Sequence, residues 1–122
     1  MDTVYPNLIL QTPGFELWLY RIKDPMTRIR IARRLERFAA GSQGDIQHLE
    51  GSLFELREHF GAGWRLYCLR ITQSRWIFVH GGTKQSQKRD VEMLRRNIAD
   101  LVSDAGFSSL SAGFEGSDNA RN

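Results

Sequence analysis

Three cations carry the clearest chemical signal in this chain. Arg57, Arg65 and Lys84 fall on or beside segments that read as neighbouring strands, with Tyr67, His80 and Gln87 near them. Fixed cations among hydrogen-bonding side chains suit a phosphodiester. Cleavage of RNA by its own 2′-hydroxyl needs in-line positioning, stabilisation of the phosphorane's added charge, and a route for protons. Arg57, Arg65 and Lys84 meet the second need. His80, Tyr67 or His59 are the titrating groups for the third, His being favoured because its pKa lies near neutrality. The alternative is structural: Arg57 and Arg65 as surface charges of their strands, paired with Glu55 and Glu58.

Other motifs are weaker. Gly81-Gly82-Thr83-Lys84 lacks the spacing of a nucleotide-binding P-loop. It reads as a strand-to-helix turn with Ser86 as N-cap and Asp90 in the first helical turn, where free amides near Ser86 could help to hold one phosphate. Arg30, Arg33, Arg34 and Arg37 share one face of a helix, nearly opposite its apolar face. They could grip RNA or an acidic partner, or form a solvated face. Lys88 and Arg89 extend the candidate RNA-binding set on the last helix. His48, His59 and His80 have no metal-ligand spacing, and no metal or cofactor is expected. Cys68 is the single cysteine and lies in an apolar strand, which predicts a buried, inert thiol.

The elements that must position these residues follow from periodicity. Residues 4–10 predict a short edge strand. Thr12-Pro13 starts a helix with Phe15, Trp18, Leu19 and Ile22 on one face. Asp24-Pro25 caps a second helix reaching about Ala40, with Ile31, Leu35, Phe38 and Ala39 inward, and the two are expected to form a helical hairpin. Three or four strands follow: residues 46–49, 53–58, 64–71 and 75–80. Alternation puts Trp64, Leu66 and Cys68 on one face and Arg65, Tyr67 and Leu69 on the other. A last helix spans about residues 86–103, with Val91, Leu94, Ile98 and Leu101 inward. Strands joined by short turns, with helices before and after them, predict an α+β fold on a mainly antiparallel sheet of three to five strands. One domain covers residues 1–105; Phe107 and Leu110 could dock, and residues 106–122 read as a flexible tail.

Composition narrows the partners. The chain has 122 residues and a net charge of +3, but residues 21–96 hold 16 Lys/Arg against 8 Asp/Glu. Of the 17 basic residues 14 are Arg, the better fork for phosphate oxygens. A polyanion or an acidic protein segment is therefore the expected partner. No apolar run reaches the ~20 residues of a membrane-spanning helix, and the first residues lack the pattern of a signal peptide. A reducing cytoplasm is the expected location.

Together these residues resemble the RelE/ParE superfamily of toxins from type II toxin–antitoxin systems, in its addiction-module-killer and HigB-like, prophage-derived branch. The resemblance covers residues 15–101. It is carried by Phe15-x-x-Trp18-Leu19, Lys23-Asp24, Arg28-x-Arg30-Ile31-x-x-Arg34-Leu35 and Gly44-Asp45. It continues through Glu55-Leu56-Arg57, Gly61-x-Gly63-x-Arg65-x-Tyr67 and Gly81-Gly82-x-Lys84-x-x-Gln87-x-x-Asp90. Ala62, Trp64, Ser42 and Thr83 stand where the family often has Pro, Tyr, Asn and Asp; Thr83 removes a carboxylate beside Lys84.

The resemblance implies a helical hairpin against a curved antiparallel sheet, closed by the last helix. It implies a metal-independent mRNA endoribonuclease acting at the ribosome, held in a hetero-oligomer by a cognate antitoxin of helix-turn-helix type. Arg65 would stabilise the phosphate, Lys84 would stand near a basic position used in catalysis, and Arg57 would support RNA binding, with Tyr67, His80 and Gln87 beside them. Two alternatives share the fold: a ParE-like inhibitor of DNA gyrase that cuts no RNA, and a non-toxic module that binds antitoxin.

Overall fold

Two capped helices open the structure, a computed structural model that describes residues 6–101 and 103. Thr12 accepts a hydrogen bond from the Phe15 amide (3.1 Å) and Pro13 follows it, starting α1 (Pro13–Tyr20). Asp24 accepts from the Met26 amide (3.3 Å) and the Thr27 hydroxyl (2.8 Å), starting α2 (Pro25–Ala39). Both caps satisfy amides that have no partner within the helix, and proline at the first position loses nothing there.

The strands are β1 (Leu8–Gln11), β2 (Ile46–Glu50), β3 (Leu53–Glu58), β4 (Trp64–Thr72) and β5 (Arg75–Thr83), followed by α3 (Gln87–Leu101). They form one sheet in the order β1-β5-β4-β3-β2. The fold is α+β, with antiparallel pairing from β2 to β5, as the short turns predicted. The N-terminal strand joins at the far edge, parallel to β5, with Leu8 opposite Arg75 and Gln11 opposite Phe78. It begins later than the expected residues 4–10, and residues 4 and 5 lie outside the described residues, as do Phe107, Leu110 and the 106–122 segment.

The sheet is buried on both faces, which is why its central strands are apolar on both. On one face Phe15, Ile31, Leu35 and Phe38 of the two N-terminal helices pack with Leu56, Leu66, Cys68, Trp76 and Phe78. On the other, Leu94 of α3, joined by Val91, Ile98 and Leu101, covers Leu53, Tyr67, Leu69, Ile77 and Val79. Cys68 is fully buried, and that burial pushes its thiol pKa well up, so it is no nucleophile at neutral pH.

One detail of β5 corrects the sequence reading and a second adds to it. Gly81, Gly82 and Thr83 are strand, not loop. The glycines permit close approach: a Cβ at Gly81 would lie 2.3 Å from the Trp18 ring, and one at Gly82 would lie 2.2 Å from an Asp90 carboxylate oxygen. Gly81→Ala is expected to cost about 2–3 kcal/mol by overpacking, read as a lower denaturant midpoint. The second detail is a register shift. Tyr67 pairs with His80, yet Cys68 pairs with Phe78, so Val79 is an extra residue. That bulge turns His80 onto the α3 face beside Tyr67 instead of into the α1/α2 core.

Candidate functional site

The β3–β4 connection forms the floor of a cleft. Gly61 and Gly63 adopt left-handed φ values of 55° and 75°, open to glycine without strain. The Gly63 carbonyl accepts from the Lys84 amide (2.7 Å), tying this turn to the end of β5. The cleft, about 460 Å³, is lined by Arg57, His59, Gly61, Ala62, Gly63, Arg65, Lys84 and Gln87. Five residues singled out from sequence (Arg57, His59, Arg65, Lys84 and Gln87) therefore meet in one place.

Arg65 is the unusual one. It is 5 % exposed, Nη1 donates to the Trp64 carbonyl (3.3 Å), and its buried Nε has no partner. Among the described residues no carboxylate lies in ion-pair range of it. Glu58, one of its expected counter-charges, instead pairs with Arg34 (2.7 Å) and reaches Arg37 (3.9 Å). A guanidinium so nearly buried with no carboxylate beside it is unusual, and the cleft gives an anion access to it.

Glu55 is the residue that the sequence reading undervalued. It is fully buried. One carboxylate oxygen accepts from Arg57 Nε (2.8 Å) and the other from Gln87 Nε2 (2.8 Å). It is not a surface counter-ion but a link between β3 and the first residue of α3. The signals for it were its alternation with Arg57 and its place in the Glu55-Leu56-Arg57 motif; in the sheet it lies opposite Tyr67.

Tyr67 and His80 sit beside the cleft without lining it. His80 Nε2 bonds Asp90 Oδ1 (3.1 Å), and the Ser86 hydroxyl donates to Asp90 Oδ2 (2.6 Å) while accepting from the Thr83 amide (3.1 Å). Asp90, read as a helix-start residue, is buried and orients His80. The amides expected to hold a phosphate are already used: Ser86 donates to the Thr83 carbonyl (3.1 Å) and Gln87 to the Lys84 carbonyl (3.4 Å).

The Tyr67 ring lies 5.9 Å from that of His80, and its buried hydroxyl makes no hydrogen bond among the described residues. Burial, then the nearby Glu55 and Asp90 charges, push its pKa far above the ordinary 10.0. Tyr67 thus stays protonated at neutral pH and is no general base. Its raised pKa contributes stability that is complete below pH 10 and is lost as pH rises beyond it. In an alkaline titration Tyr67 should ionise only as the chain unfolds, and Tyr67→Phe should remove that phase and flatten the alkaline loss of stability.

The arginine stripe of α2 divides. Arg30, Arg33 and Arg37 are exposed and surround a smaller cleft of about 170 Å³ with Glu58, Arg30 lying 3.9 Å over the Phe60 ring. Arg34 does not belong to that face. It is 2 % exposed and donates to the carbonyls of Gln43 (2.7 Å) and Asp45 (3.1 Å) besides pairing with Glu58. Lys88 and Arg89 are exposed on the first turn of α3.

Elsewhere, a mostly apolar groove of about 490 Å³ runs between β1, α1 and α2, past Leu19, Tyr20, Pro25, Ile29 and Ala32. Among the described residues no group of three or more His, Cys, Asp or Glu could hold a metal ion, and no helix is long and apolar enough to cross a membrane.

No model of a known protein family matches the chain. It is 31 % identical over 87 residues to an uncharacterized protein of Haemophilus influenzae, a match spanning 71 % of this chain and 88 % of that one. The chain belongs to the family of that protein. At that identity and coverage the two share a fold.

Proposed function

We propose that this protein is the toxin of a type II toxin–antitoxin module, a metal-independent endoribonuclease that cuts mRNA at the ribosome and arrests translation in the cytoplasm. One observation carries this reading: Arg65, a nearly buried guanidinium with no counter-ion, in a cleft shared with Arg57 and Lys84. The 2′-hydroxyl of the RNA gives up its proton to solvent and attacks the adjacent phosphorus, forming a 2′,3′-cyclic phosphate, while the 5′-oxygen leaves and takes a proton from solvent. Arg65 neutralises the charge gathering on the equatorial oxygens, where a fixed donor is worth most. Lys84, exposed at the rim, and Arg57, whose terminal nitrogens are unused, complete the phosphate cradle. Arg30, Arg33, Arg37, Lys88 and Arg89 supply further phosphate contacts.

The partner is an antitoxin that silences the toxin. The apolar groove beside edge strand β1, with Tyr20, Met26 and Ile29 exposed around it, suits an apolar segment of such a partner. The test is incubation of the purified chain with programmed ribosomes in the presence of EDTA, followed by primer extension. New ends within the A-site codon support the reading. Intact mRNA, with growth arrest and an SOS response in cells, would point to gyrase inhibition instead.

A further inference from the structure

We infer that Gln87 is the reader of the ribose 2′-hydroxyl, and that the buried Glu55 is the positioning residue that makes it one. This rests on the phosphodiester reading of the cleft and adds to it the means of telling RNA from DNA.

The three cations of the cleft offer no acceptor. Arg57, Arg65 and Lys84 can only donate hydrogen bonds. They suit phosphate oxygens and offer nothing to a hydroxyl proton. A ribose next to a bound phosphate needs an acceptor, and the 2′-hydroxyl is the group that separates RNA from DNA. Gln87 lines the cleft and carries one acceptor and one amino group. Which of the two faces the ligand is decided by Glu55. A carboxylate paired with Arg57 accepts only, so Gln87 must present its amino group to Glu55, as it does at 2.8 Å. The carboxamide oxygen then remains for the ligand.

The position of Glu55 supports the same assignment. A fully buried carboxylate is a poor structural device, since an apolar side chain of like volume would serve the core as well or better. Both of its oxygens go to cleft-lining side chains, one to Arg57 and one to Gln87. It holds a donor and an acceptor side by side. Such a pair suits a phosphate oxygen and the neighbouring hydroxyl. His59 is the other lining side chain with acceptor capacity: its Nε2 donates to Asp45 (2.7 Å) and leaves Nδ1 to accept, but the ring is largely exposed and nothing buried fixes it against the ligand, so it serves as the control.

The experiment compares two uncleavable probes on the full chain: adenosine 3′-monophosphate and its 2′-deoxy counterpart, by calorimetry, with melting curves for every variant. Wild type should bind the ribonucleotide about 10-fold more tightly, the order expected for one buried hydrogen bond. Gln87→Ala should lower ribonucleotide affinity to the deoxynucleotide level and leave the latter unchanged. Glu55→Gln, which can donate as well as accept and so frees Gln87 to turn, should narrow the preference to about 3-fold or less without losing phosphate affinity. His59→Ala should keep the preference. If both probes bind through Arg65 but wild type shows no preference, or Gln87→Ala retains it, the Gln87 assignment is wrong and the phosphodiester reading stands. If neither probe binds, or Arg65→Met binds them as wild type does, both fall together. Gln87 is at the helix surface, so the inference survives even a Glu55 variant that fails to fold.

Discussion

Arg65→Met is expected to abolish RNA cleavage and to make the protein more stable. These two effects seldom come together, because most substitutions that inactivate also destabilise. Arg65 is nearly buried with no carboxylate partner among the described residues, so the folded state bears the cost of a partly dehydrated charge. Methionine keeps the length of the stem and removes that cost. The gain should be about 1 kcal/mol, a rise of about 4–8 °C in melting temperature for a domain near 100 residues. The catalytic loss should reach at least about 10²–10³-fold in single-turnover rate, as for removal of one preorganised transition-state donor. Thermal melts and cleavage assays on one preparation read both. An inactive variant that melts lower than wild type would mean that Arg65 holds the fold together and is not reserved for an incoming anion.

Arg34→Ala is expected to behave in the opposite way. Its guanidinium pairs with Glu58, donates to two carbonyls of the 43–45 segment, and lies against Gly44, where a Cβ would sit 2.6 Å from Nη1. Removing it strands two carbonyls and leaves Glu58 only the more distant Arg37 (3.9 Å). The cost should be about 3–5 kcal/mol, as for breaking a buried ion pair. Arg33→Ala, one residue away on the exposed face, should stay within about 0.5 kcal/mol. Urea denaturation of the two variants checks this. Equal, small effects would return Arg34 to the solvated stripe. The same contact accounts for the Gly44-Asp45 pair, since the left-handed Gly44 leaves room for the arginine.

Much of the scaffold was legible because its signals are local. Thr12-Pro13 and Asp24-Pro25 start helices by satisfying their own first amides. Strict alternation placed Arg65 and Tyr67 on one face of β4 and Leu66 and Cys68 on the other. The misses came where a distant residue decides. Arg34 has helical spacing with Arg30 and Arg37, but it is drawn inward by Glu58 and two carbonyls from another part of the chain. His80 was expected near Tyr67, but the Val79 bulge that puts it there breaks the period of β5 and is not visible in the alternation. Gly81-Gly82 reads as a flexible turn unless Trp18 and Asp90 are known to press on it. Glu55 looked like a surface counter-ion because its burial depends on α3, which arrives 32 residues later at Gln87.

The most direct test of the central claim is primer extension on a defined mRNA in programmed ribosomes with EDTA, comparing wild type with folded Arg65→Ala/Lys84→Ala. Cleavage within the A-site codon by wild type, lost in the double variant, is the predicted result. Intact mRNA with folded wild type, or equal cleavage by both proteins, would contradict the assignment of a phosphodiester-cleaving site to this cleft.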